Sequence, residues 1–245
     1  MQYPQMPANV SSNIERVRLD YERLWMNSKD ALIHGHIEPD PAPDDTSRRW
    51  GISAVIRPRE QAAITLEQTA RQLSTFTGDK QVIYTVASLH TTLRSIEFFR
   101  SHVTHDDDRV RKYIDILQEI VRGYNAFNVL YQGLTANKTS VMAQGWPLSD
   151  DLQKIRVEFH RQLGNAGFLT GPETQGVRET AHASLVVFTH PLEDPRSLVD
   201  FIEDNRETQF GYVNIDQIDV VRYMRTDTDV ELITLGTVFL GGRRS

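Results

Sequence analysis

Two short segments, Leu89-His90-Thr91-Thr92-Leu93 and Ala181-His182-Ala183-Ser184-Leu185, constrain this chain more than any other feature of it. Each sets a histidine two positions before a hydroxyl residue inside an apolar, strand-like run. A strand turns alternate side chains to opposite faces, so His90 shares a face with Thr92, and His182 with Ser184. The other faces carry Leu89, Thr91 and Leu93, or Ala181, Ala183 and Leu185, which suit a packed interior. An imidazole and a hydroxyl on one side of a strand, with mostly apolar neighbours on the other, describe the wall of a cleft in a buried sheet. Two such walls supply two imidazoles and two hydroxyls, a set suited to acid–base chemistry on a phosphodiester.

The triplet alone is weak, because a chain with eight histidines shows about one such match by chance. A third match, His102-Val103-Thr104, shows what context adds: it follows Arg100-Ser101 and runs into His105-Asp106-Asp107-Asp108, a polar stretch that reads as loop or helix end. His90 is instead led in by Val82-Ile83-Tyr84-Thr85-Val86, and His182 is followed by Leu185-Val186-Val187-Phe188, both rich in strand formers. Tyr84 reads first as strand core and second as a side chain able to stack on a base in the cleft. His34 and His36, like His102 and His105 with their aspartates, are metal-ligand types without a spacing that specifies a site.

At 245 residues the chain can bury a sizeable core. A net charge near −6 argues against a protein that coats long nucleic acid, which needs a dominant basic surface. Arg48, Arg49, Arg57 and Arg59 leave room for a local basic patch, although Arg48 and Arg49 read mainly as solvated linker. The absence of cysteine removes disulfides, thiolate zinc sites and cysteine nucleophiles. No apolar run approaches the roughly 20 residues of a membrane span, and the start lacks a signal-peptide layout, so the cytoplasm is the expected compartment.

The organisation reads as two parts: residues 1–49, an N-terminal helix and a Pro/Asp-rich linker, and residues 50–245, the body. A polar, disordered start leads to a helix over Ile14–Ile33, capped by Ser12 or Asn13 and placed by Val17, Tyr21 and Trp25. Pro39, Pro41 and Pro43 with Asp40, Asp44 and Asp45 then make a stiff acidic linker. The body alternates coarsely: strand 50–56, a helix over 59–75 burying Ile64, Leu66, Ala70 and Leu73, the His90 strand, a short helix over 96–102 and a longer one over 109–124. A hairpin over 127–146 with Asn137 and Lys138 at its tip, a helix over 150–166, the His182 strand, a helix over 195–208 and closing strands at 211–223 and 231–240 complete it. Mixed strands and helices with hairpin connections indicate α+β, and one His-x-hydroxyl segment per half suggests a pseudo-twofold duplication that sets the histidine strands side by side.

His90-Thr91-Thr92-Leu93 and His182-Ala183-Ser184-Leu185 resemble the paired His-x-Thr/Ser-x motifs of the two-histidine (2H) phosphoesterase superfamily, which includes 2′-5′ RNA ligase and cyclic phosphodiesterase enzymes. The resemblance spans roughly residues 50–240, including the Gly145-Trp146 strand end. It implies a bilobal α+β fold with two pseudo-symmetric antiparallel sheets and flanking helices around a central cleft. It also implies His90 and His182 as the acid–base pair, Thr92 and Ser184 as phosphate donors, and a cyclic (2′,3′-type) or 2′-linked phosphodiester of a nucleotide or RNA end as substrate. Polar Thr91 stands where the pattern has an apolar residue, and residues 1–49 lie outside it. No cofactor or metal is called for, since two imidazoles cover both proton transfers. Two other readings stay open: a nucleotide- or RNA-binding module using the same cleft, and a metal-dependent hydrolase with histidine ligands.

Overall fold

The structure, a computed structural model, describes residues 14–241. The expected disordered start, the cap at Ser12 or Asn13 and the tail from residue 242 lie outside them. In chain order the elements are α1 (Ile14–Met26), α2 (Lys29–Ile33), β1 (Ser53–Ile56), α3 (Glu60–Thr77), β2 (Val82–Ile83), β3 (Thr91–Ser95), α4 (Asp108–Val121) and β4 (Phe127–Ala136). They continue with β5 (Ser140–Pro147), α5 (Asp151–Asn165), β6 (Ala183–Val187), α6 (Pro195–Asp204), β7 (Gln209–Ile215), β8 (Gln217–Arg225) and β9 (Val230–Phe239).

The strands join antiparallel in the order β7-β4-β5-β6-β3-β1-β8-β9, with β2 on β6, a curled half-barrel of two four-stranded halves. One half, β6-β5-β4-β7, packs against α3 and α6; the other, β3-β1-β8-β9, packs against α4 and α5. Each helix follows from its apolar stripe. In α4, Val110, Tyr113, Leu117 and Val121 are buried at helical spacing, and the Asp107 carboxylate caps the first turn through the Arg109 and Val110 N–H groups. In α6, Asp194 accepts from the Ser197 N–H and Pro195 opens the helix.

The two halves meet at β3 and β6, where a single residue pair, Thr91 with Ala183, connects the ladders. Side chains reinforce this thin seam. The Arg156 guanidinium, fully buried on α5, donates to the carbonyls of Leu93 (3.1 Å) and Thr92 (2.8 Å) on β3. It also donates to Arg178 (3.2 Å), Glu179 (3.3 Å) and Thr180 (3.0 Å) on the approach to β6. Burial, and next the nearby Arg178 charge, push its pKa down to about 9, which leaves it a cation at neutral pH. Thr91 Oγ1 bonds the Tyr131 hydroxyl (2.7 Å) and donates to the Ala181 carbonyl (3.2 Å), so the one polar departure from the motif pattern is a tie across the seam. Tyr21 of α1 reaches the same place: its hydroxyl donates to the Gly145 carbonyl (3.2 Å) and accepts the N–H groups of Gly145 and Ala181 (3.1 Å each). Gly145 fits here because a Cβ would stand 1.9 Å from the Ala181 carbonyl oxygen.

Several expectations change in the structure. The helix over 14–33 breaks at Asn27–Ser28, where the Ser28 hydroxyl donates to the Leu24 carbonyl and competes with the helical ladder. No helix forms over 96–102, because Glu97 is buried and holds Arg100 (2.8 Å) and Arg109 (3.3 Å), fixing an irregular path. The strand over 82–86 is cut to two residues by a turn in which the Ser88 hydroxyl accepts from Thr85 N–H. Ile64 faces solvent, and Ala62 and Ala63 take the buried face of α3. The run 211–223 divides at Asp216 into β7 and β8, which belong to different halves. Among the described residues no helix is long and apolar enough to cross a membrane.

Tyr21→Phe leaves two buried N–H groups and one carbonyl short of a partner. It should lower the unfolding free energy by about 2–4 kcal/mol in urea titration, with the m-value unchanged. A change within about 0.5 kcal/mol would show that Tyr21 does not hold the seam.

Candidate active site

His90 and His182 lie one residue before β3 and β6 rather than inside them, so each leaves the ladder while its following hydroxyl residue stays on it. The Thr91–Ala183 pair sets their relation. On that antiparallel register Thr92 stands opposite His182 and Ser184 opposite His90. Period two then turns all four side chains to one face of the curled sheet, the concave one. That face holds a cavity of about 300 Å³ lined by His90, Thr92, His182 and Ser184 together with Tyr84, Tyr223 and Arg178. Leu89, Thr91 and Leu93 point into the core, as do Ala181, Ala183 and Leu185. Tyr84 is almost wholly buried in the wall, 5.8 Å from the His90 ring, and so meets its core reading while bordering the cavity.

Both imidazoles are held the same way. His90 Nδ1 lies 2.9 Å from the Ser88 carbonyl, which can only accept, so Nδ1 carries the proton and Nε2 the lone pair. Nε2 meets the Tyr223 hydroxyl at 3.1 Å, which therefore donates to it. His182 Nε2 faces Arg178 Nη1 at 3.5 Å, the outer limit of a hydrogen bond, and its Nδ1–H donates to Thr180 Oγ1 at 3.2 Å. In each case the tether sits two residues upstream and Nε2 is left as the lone-pair nitrogen, met by Tyr223 in one ring and by Arg178 in the other. These partners assign the neutral tautomers.

Electrostatics agree with that assignment. Burial, and then the positive charge of Arg57 and Arg178, outweigh the Ser88 hydrogen bond and depress the His90 pKa to about 4. Burial, then Arg178, Arg156 and His90, hold the half-buried His182 well below the ordinary histidine range. The cleft therefore holds two neutral imidazoles beside the Arg178 guanidinium. Arg178 is itself fixed by Glu173 at 2.8 and 3.1 Å.

Sequence reasoning missed Tyr223 and Arg178. Tyr223 lies 133 positions from His90 and has no local signal. Arg178 and Thr180, four and two residues before His182, lie within reach of a period-two reading. Arg49, read as solvated linker, borders the cavity mouth and pairs with the buried Asp40 at 2.9 Å. Arg57 and Arg59 pair with Asp219 (2.9 Å) and Asp216 (2.8 Å), so they form no free basic patch. His102 and His105 are exposed and away from the cavity.

No family model and no curated protein match the chain. Solved structures do. TT0787 of Thermus thermophilus superposes with a TM-score of 0.59 at 14% identity, over 79% of this chain and all of that one. A crystal structure described as a phosphoesterase gives 0.54 at 10% identity, over 83% of this chain and all of its own. LigT of E. coli complexed with 3′-AMP gives 0.53 at 10% identity, over 79% of this chain and 99% of LigT. The chain has the LigT fold. It is an α+β half-barrel with flanking helices.

The depressed imidazole pKa values tie stability to pH. Between pH 6.5 and about 4 the unfolded chain binds protons that folded His90 and His182 refuse, so their contribution is present above pH 6.5 and is lost as pH falls through that window. His90→Gln should flatten part of the fall in urea midpoint across it. An unchanged pH dependence would mean that His90 is not held neutral.

Proposed function

We propose that this chain is a two-histidine phosphodiesterase that hydrolyses a cyclic (2′,3′-type) or 2′-linked phosphodiester of a nucleotide or RNA end. The observation that carries this reading is the quartet of His90, Thr92, His182 and Ser184 lining one cavity, with both Nδ1 atoms tied back and both Nε2 atoms left as lone pairs.

The residues divide the work by their chemistry. One neutral imidazole takes a proton from the attacking water at Nε2. The other, protonated, delivers a proton to the leaving oxygen on the far side of phosphorus. The bound diester supplies the missing bias: its negative charge raises the pKa of both histidines from their depressed values, so one of them gains a proton as substrate enters. Thr92 and Ser184 donate to the nonbridging oxygens, and Arg178 adds a fixed positive charge beside His182. A cavity of about 300 Å³ suits a mononucleotide or a strand end, and the net charge near −6 fits that better than a long nucleic acid. The 3′-AMP complex of LigT supports a nucleotide ligand.

His90→Ala or His182→Ala should lower turnover of a cyclic or 2′-linked diester by about 10²–10⁴-fold, and the double variant by much less than the product. Thr92→Val and Ser184→Ala should each cost roughly 10-fold or more, while His102→Ala changes little. Activity should survive a chelator, and a loss restored by a divalent ion would move the histidines to the role of metal ligands. Wild-type turnover equal to that of the double variant across a diester panel would leave a binding module.

A further inference from the structure

His90 is clasped between two tyrosines, and one of them is placed to do more than pack. Its ring lies 5.8 Å from Tyr84 and 5.4 Å from Tyr223, each at 47°. The Tyr223 hydroxyl donates to His90 Nε2 at 3.1 Å, and the neighbouring Ser53 and Thr92 side chains act to lower its pKa against the burial that raises it. One hydroxyl thus stands beside both the histidine and the threonine of the first motif, at the cavity wall, on a residue only 6% exposed. A phosphate oxygen entering beside Thr92 competes with His90 Nε2 for the Tyr223 O–H.

We propose that Tyr223 is a further phosphate-binding catalytic residue: as substrate enters, its hydroxyl turns from His90 Nε2 to a nonbridging oxygen, which frees Nε2 for proton transfer. No O–H bond breaks; the hydrogen bond changes acceptor. The inference rests on the two-histidine reading of the cleft and adds a donor from β8 that neither motif contains.

The linker braces this tyrosine. Trp50 meets the Tyr223 ring edge-on at 5.4 Å and 87°, with its backbone at φ +62°, a conformation that is strained for a residue with a Cβ and persists only when its surroundings impose it. The surroundings are specific: Trp50 Nε1–H donates to the Asp40 carboxylate (3.1 and 3.2 Å), and the Arg225 guanidinium lies 4.4 Å over the indole. Arg225 in turn donates to the carbonyls of Asp40 and Pro41. Tyr223 and Arg225 share one face of β8, so the acidic proline segment is clamped to the strand that carries the hydroxyl.

Tyr223→Phe keeps the ring and removes the donor, which separates the two roles. The groups facing the pair are Arg57 just past β1, Tyr84 just past β2, and Arg178 and His182 ahead of β6, and none changes charge in this variant. Losing a donor to its lone pair makes Nε2 more basic, so imidazole NMR of the free protein should show the His90 titration midpoint rising by roughly 0.5–1 pH unit. Inorganic phosphate at pH 7 should bind about 5–10-fold more weakly to the variant, and diester kcat should fall about 10-fold or more with a smaller change in KM. A purely structural tyrosine would lower stability, and move the His90 midpoint through the lost hydrogen bond, while leaving phosphate affinity and kcat alone. Unchanged phosphate affinity overturns the hand-over whatever the midpoint does. Phosphate binding that depends on Tyr223 in a protein without diester turnover would instead support the phosphate contact and refute the phosphodiesterase reading.

Discussion

Everything at the site depends on a seam one residue pair wide. Backbone pairing between β3 and β6 is reduced to Thr91 and Ala183, yet that pair sets which motif residue faces which. A shift of one residue would turn every motif side chain to the opposite face and dismantle the quartet. So short a ladder cannot fix its own register, and buried side chains supply what the backbone lacks. Arg156 gathers carbonyls from β3 and from the segment leading into β6, Thr91 reaches the Ala181 carbonyl, and Tyr21 takes the Ala181 N–H. A buried guanidinium is costly by itself; here five carbonyl oxygens solvate it, and losing it would leave them without donors at the point of contact between the halves.

The same seam explains the electrostatics. Arg156 behind it and Arg178 beside it place positive charge next to imidazoles already short of water, so both histidines rest neutral. The cleft of this acidic chain is lined by both signs of charge, Arg49 and Arg178 with Glu173. Neutral imidazoles hold Nε2 as a lone pair. In the proposed function the charge of a bound phosphodiester makes protonation of one of them favourable, so the asymmetry of acid and base would arise on binding.

Much of this was legible in the sequence because it depends on local periodicity. His90 with Thr92 and His182 with Ser184 follow from a period of two, and the Leu66, Ala70 and Leu73 stripe of α3 from a period of 3.6. The α+β class and the pseudo-twofold order of elements came from counting such runs. What escaped has a common physical reason: it depends on contacts between residues distant in the chain. Tyr223 meets His90 across 133 positions and Tyr21 meets Ala181 across 160. The division of 211–223 at Asp216 is equally non-local, because β7 and β8 part to pair with β4 and β1 in different halves. The helix expected over 96–102 failed for a related cause, the capture of Glu97 by two arginines. Thr91 looked like a weakness in the motif until its partners across the seam were visible.

The central claim is that the two halves bring both imidazoles to one phosphorus. Its most direct measurement is a crystal structure of the protein with vanadate or inorganic phosphate bound. The account predicts a single anion in the cleft contacted by Nε2 of both His90 and His182 and by the hydroxyls of Thr92 and Ser184. An anion bound elsewhere while the cleft stays empty, or one touching a single histidine with the other turned away, would contradict it.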